Sequence, residues 1–182
     1  VAHADDWTLA LSEKDIAELD AALAHAKAKG GDLLDVTKDD FPLPSLRARL
    51  RELEQDLIDG RGFCLIRGLP VERYADDDAS LIYWGIGMHL GRPWPQNKHG
   101  HLLGDVTDQG KSGADPTSRG NEIGGVAFPY HSDGSDLVGL MCLRKAKSGG
   151  VSTVANAVAI HNELVRIRPD LAALTYEPPP YD

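Results

Sequence analysis

The chain has 182 residues, 19 basic and 28 acidic side chains, a formal charge of −9 and a sequence pI of about 5.2. Hydrophobic residues make up 42%, enough for a packed core and too many for a disordered chain, and a single domain is expected at this length. So acidic a surface excludes nucleic acid as an expected partner, and no apolar run reaches the roughly 18 residues of a membrane span.

The opening VAHADDWTLALSEK lacks the charged-then-apolar pattern of a secretory leader. Cys64 in GFCLIRG and Cys142 in GLMCLRK sit inside apolar runs, and read as buried thiols of a cytoplasmic protein. The acid is concentrated early: residues 1–90 carry 10 basic and 18 acidic side chains, residues 91–182 carry 9 and 10. The near-neutral second half holds a small basic group, Arg144, Lys145 and Lys147, which leaves an anionic small molecule open as a ligand.

In chain order, Ser12 and Asp15 form a variant capping box, followed at helical spacing by Ile16, Leu19 and Leu23 and stopped by Gly30-Gly31. After the rigid Phe41-Pro-Leu-Pro44, a second helix runs from about Ser45 to Gly60 with Leu46, Leu50, Leu53 and Leu57 on one stripe. GFCLIR at 62–67 is a short buried strand by its flanking glycines. Asp76-Asp77-Asp78 suit the positive end of a helix that continues through ASLIYWGIGMHL and stops at Gly91. Residues 92–125 are weakly patterned, with a short strand expected at His101–Val106. Then VAFPYHSD, DLVGLMCLR and VSTVANAV read as three strands, and AIHNELVRIRPD as a helical pattern broken at Pro169.

One constellation carries chemistry. His131-Ser132-Asp133 places an imidazole and a carboxylate two residues apart, so that an extended chain presents both to one side. That pair supplies two adjacent ligands of the facial triad of non-haem iron oxygenases. Asp136, three residues beyond Asp133, faces the other way. Two other readings stand beside this one: a non-catalytic β-rich binding or structural domain in which the motif is incidental, and a zinc-dependent hydrolase using His131 and Asp133.

The run FPYHSDGSDLVGLMCLRKAKSGGVSTVANAVAIHNELVRIRPDL, preceded by GFCLIRGLP and LIYWGIGMHLGRP, resembles the taurine dioxygenase / TfdA-like family of iron(II)- and 2-oxoglutarate-dependent oxygenases. The resemblance covers roughly residues 60–180. It implies an α+β fold with a double-stranded β-helix (jelly-roll) core and flanking N-terminal helices. It divides the single domain into a helical region, 1–60, and the start of the jelly roll with the metal motif, 61–182. It also implies iron(II) on His131 and Asp133, with 2-oxoglutarate and O2 as cosubstrates and a small organic molecule as substrate. Ser152 stands where many members have a threonine that binds a 2-oxoglutarate carboxylate, with Thr153 as second choice. Gln96, Asn97, His101 and Asn121, in the long loop, are the candidate substrate contacts.

The family also needs a distal histidine ligand and an arginine clamp, on strands well beyond H-x-D. His161 is the only histidine after His131 and belongs to a helical run, so it reads as a solvated helix residue. The jelly roll is therefore expected to be incomplete within these residues. Substrate identity and oligomeric state are left open.

Overall fold

Ser12 starts the first long helix, and the reason is a reciprocal pair of hydrogen bonds. In the structure, a computed structural model that describes residues 3–96, 99–111, 123, 127 and 129–178, Ser12 caps α1 (Glu13–Lys29) in a capping box with Asp15. The Ser12 backbone N–H and hydroxyl each donate to Asp15 Oδ2 at 2.7 Å. Arg49 donates to the same oxygen and also to the Ala10 carbonyl. Asp15 is 5% exposed. Burial alone would raise its pKa, but the hydrogen bonds from Ser12 and Arg49 outweigh it and hold the carboxyl below its ordinary value. Gly30 closes α1 at φ 74°, where its N–H reaches the Ala26 and Lys27 carbonyls.

The second helix, α2 (Leu46–Asp59), has the expected extent, yet its start is satisfied from elsewhere. The Ser45 side chain makes no capping bond. Instead Glu18 of α1 accepts the backbone N–H groups of Ser45 and Leu46 at 2.8 and 2.9 Å, a carboxylate on the positive end of the neighbouring helix. Leu46 and Leu50 are buried, and Leu53 and Leu57 half-buried, on the predicted stripe.

The third helix, α3 (Asp76–Leu90), begins with the three aspartates and ends at Gly91. Its inner face is fitted to the Phe41 turn. Gly85 lies so close to the Phe41 ring that a Cβ there would collide with it. Trp84 Nε1 donates to the Val36 carbonyl at 2.8 Å, and His89 Nε2 donates to the Phe41 carbonyl at 2.8 Å. Leu19, Phe41, Leu46, Leu50 and Ile82 are the largest fully buried side chains, each contributing about 1.5–3 kcal/mol through burial. Among the described residues every buried hydrophobic side chain except Ala172 lies between Ile16 and Trp84.

The strand expected at 62–67 forms as β2 (Leu65–Arg67), parallel to β1 (Thr8–Ala10) with Thr8 opposite Leu65 and Ala10 opposite Arg67. A parallel pair requires a crossover, and α1 and α2 supply it. β1 is too short to announce itself in sequence. Near the C-terminus, α4 (Ala157–Ile167) is capped by Asn156, and Pro169 opens a further short helix, α5 (Pro169–Leu174). The described architecture is thus α+β, helix-rich, with one two-stranded parallel sheet. No described helix is long and apolar enough to cross a membrane.

Several sequence expectations are corrected here. His101–Val106 is not a strand. Neither the described part of VAFPYHSD nor DLVGLMCLR forms one, and VSTVANAV runs irregularly into α4. A strand exists only when its backbone is paired, and no described residue outside β1 and β2 joins a ladder. The alternation survives without the ladder: Leu137, Met141 and Leu143 are half-buried, whereas Val138, Leu140 and Cys142 are exposed. Cys142 is accordingly an exposed thiol and Cys64 a partly buried one, not two buried thiols. Burial pushes the Cys64 thiol up.

Candidate functional site

The H-x-D pair lies on an irregular stretch, 129–133, and its two side chains turn toward each other. His131 Nε2 is 3.8 Å from Asp133 Oδ1, with both side chains about half exposed, 49% and 54%. The other ring nitrogen, Nδ1, lies 2.9 Å from the Pro129 carbonyl. A carbonyl only accepts, so Nδ1 carries the proton and the neutral ring keeps its lone pair on Nε2, the atom on the Asp133 side. A backbone carbonyl that accepts from one ring nitrogen is the usual support of a histidine that ligates through the other. Two donors at about 2.1 Å from one ion lie about 3.0 Å apart when adjacent and about 4.2 Å apart when opposite, so the observed 3.8 Å is within reach of one ion but wider than an adjacent pair. The donor set, one imidazole and one carboxylate, suits iron, manganese or zinc. Among the described residues no group of three His, Cys, Asp or Glu side chains converges.

Ser152 and Thr153 are exposed in the irregular segment before α4. Gln96 and His101 are brought together: the Gln96 N–H donates to the His101 carbonyl at 2.6 Å, and the Gln96 side chain donates to the Trp94 carbonyl. His99 stacks obliquely near His101, with ring centroids 5.9 Å apart. Asn97 and Asn121 lie outside the described residues. His161 of α4 shares a 2.8 Å hydrogen bond with the hydroxyl of Tyr176, in the turn just past α5, their rings edge to face.

Contacts that the sequence did not signal tie the segment after the motif to α3. The Tyr83 hydroxyl donates to the Gly139 carbonyl at 2.5 Å. Arg144 Nη2 donates to both carboxylate oxygens of Asp76, at 2.7 and 2.8 Å, in the first turn of α3. Arg144 is therefore paired with protein, and Asp76 does more than complement the helix dipole. Asn156 similarly donates to the Arg61 carbonyl at 2.9 Å while it caps α4. Each joins residues more than 50 positions apart, which no local pattern encodes.

Comparison with known proteins bears on the same residues. The chain is 32% identical over 177 residues to FR-33289 synthase of Streptomyces rubellomurinus (strain ATCC 31215), covering 97% of this chain and 52% of that protein. It is 30% identical over 173 residues to the taurine hydroxylase-like protein SAT17 of Stachybotrys chartarum, covering 92% of this chain and 45% of that one. The chain spans about half the length of these relatives. Residues 19–182, which include the whole H-x-D segment, match the taurine catabolism dioxygenase TauD, TfdA family, and the chain belongs to that family.

Proposed function

We propose that the intact protein is an iron(II)- and 2-oxoglutarate-dependent oxygenase acting on a small organic molecule. In this reading residues 1–60 form the helical N-terminal region, and 61–182 begin a jelly-roll core that carries the metal motif. The observation that carries the proposal is the His131–Asp133 pair, with Nδ1 held by the Pro129 carbonyl and Nε2 3.8 Å from the carboxylate. Iron(II) with 2-oxoglutarate and O2 supplies the oxidising chemistry, with release of succinate and carbon dioxide.

The chain's own residues do the rest. His131 offers a neutral nitrogen whose tautomer is set by the backbone, and Asp133 offers the negative charge that favours a divalent cation. The Ser152 hydroxyl donates to a carboxylate of 2-oxoglutarate, with Thr153 as the alternative. Gln96 and His101, with Asn97 and Asn121, provide polar contacts to the substrate. The relatives' names, a synthase and a taurine hydroxylase-like protein, support an oxidative step on a small molecule.

The test is anaerobic addition of iron(II) and then 2-oxoglutarate to the intact protein. A visible charge-transfer band that appears only with both, and is lost in His131→Ala, is expected. Its absence in folded wild-type protein would refute the reading in favour of a non-catalytic domain or a zinc hydrolase.

A further inference from the structure

We infer that Tyr83, seated against Gly139, is a positioning residue that holds the segment bearing His131 and Asp133 ready for its metal. The inference rests on the metal reading above and adds to it a residue 48 positions before His131 on a different element.

The segment needs an external hold. Described residues 129–155 contain no helix or strand, so no ladder of backbone bonds fixes the H-x-D pair. Among the described residues, the Tyr83 bond to the Gly139 carbonyl is the first long-range tether after Asp133. The second is Arg144 on Asp76. Both anchors stand on α3, a helix locked into the core through Ile82, Trp84 and Gly85. Tyr83 is half-buried, and burial raises its pKa, so its hydroxyl keeps the proton it donates.

The fit at the contact is specific. A Cβ built on Gly139 would lie 2.7 Å from the Tyr83 hydroxyl. Any larger residue at 139 would therefore displace the hydroxyl. Leu137, Met141 and Leu143, spaced by twos and fours around the exposed Gly139, are half-buried. Leu143 reaches the crevice lined by Val71, Tyr74 and Ala79. The segment is thus joined to the α3 side of the fold at Gly139, Leu143 and Arg144, and Tyr83 sets where along it the chain is held.

A pre-positioned pair of ligands binds more tightly than a loose one, because less chain entropy is lost when the ion arrives. One hydrogen bond of ordinary strength corresponds to about three- to tenfold in affinity.

The experiment is binding of manganese(II) alone to the intact protein, read from the loss of the free-ion electron paramagnetic resonance signal. Tyr83→Phe and Gly139→Ala are each expected to weaken binding about three- to tenfold. The double variant is expected to be no weaker than the worse single one, because both remove the same contact. Amide hydrogen exchange across 131–144 should quicken in parallel, without a matching change inside α1 or α2. Gly139→Ala retains the tyrosine in the core, so it tests the contact even where loss of the hydroxyl disturbs folding. Unchanged manganese affinity in both single variants, with binding abolished in His131→Ala, would overturn the inference and leave the metal reading standing. Unchanged affinity in His131→Ala would overturn the metal reading and this inference with it.

Discussion

Replacing Asp15 tests whether the N-terminal helices are held by the buried carboxylate to which Ser12 and Arg49 donate. Asp15→Ala removes the return arm of the capping box and a charge-assisted bond to Arg49. A helix cap contributes about 0.5–2 kcal/mol, and a hydrogen bond to a charged group about 1.5–3 kcal/mol. These overlap at Asp15, since one oxygen accepts all three donors. Arg49 is 38% exposed and can return to water, so stranding it adds little. The net loss is about 2–3 kcal/mol for Asp15→Ala and about 1–2 kcal/mol for Asp15→Asn, which keeps the shape and loses the charge. For a chain of this size the alanine variant should melt roughly 5–10 °C lower. Tryptophan fluorescence during thermal and urea unfolding measures it, since Trp84 is in the core.

The pH dependence sharpens the test. The folded-state pKa of Asp15 lies below its ordinary value of 3.8. Its stabilisation is therefore complete above the unfolded value and is lost as pH falls through the lower folded one. The gap between wild type and Asp15→Asn should be constant near neutrality and narrow below about pH 3.8. A change under about 0.5 kcal/mol in both variants, the scatter of ordinary surface substitutions, would refute the reasoning.

Gly85→Ala should destabilise by about 1–3 kcal/mol, because its methyl group meets the Phe41 ring in the core; a neutral effect in urea unfolding would show that the ring can shift. Tyr74, desolvated and bonded to Asp20 at 2.7 Å, has its pKa pushed up to about 12. Its contribution is full below the unfolded value near 10 and falls as pH rises toward 12, so ultraviolet titration should show late-ionising phenol absorbance, and Tyr74→Phe should remove part of it while Tyr83, also raised by burial, keeps the rest. Ser152→Ala should raise the 2-oxoglutarate concentration needed for half-maximal turnover about tenfold or more; an unchanged requirement there with a rise in Thr153→Ala would transfer the role to the neighbouring hydroxyl.

What was legible in the sequence divides along one physical line. Signals that act within a few residues were readable: the Ser12–Asp15 box and the glycine stops of α1 to α3. Contacts between distant segments were not. Glu18 capping α2, β1 beside β2, and Tyr83 on Gly139 each depend on how elements meet, and no periodicity encodes that. The segment 136–144 shows both cases in one place. Its alternation was visible and persists in its burial pattern, yet a strand needs a partner, which alternation alone does not provide. The same unpacked face accounts for the exposed Cys142, which its apolar neighbours had suggested was buried.

The central claim is that His131 and Asp133 grip one metal ion. A crystal structure of the intact protein with manganese(II), the ion located by its anomalous scattering, tests it most directly. The ion is expected on His131 Nε2 and an Asp133 carboxylate oxygen, with His131 Nδ1 still donating to the Pro129 carbonyl. An ion bound elsewhere, or one bound through His131 Nδ1 with the Pro129 contact broken, would contradict it.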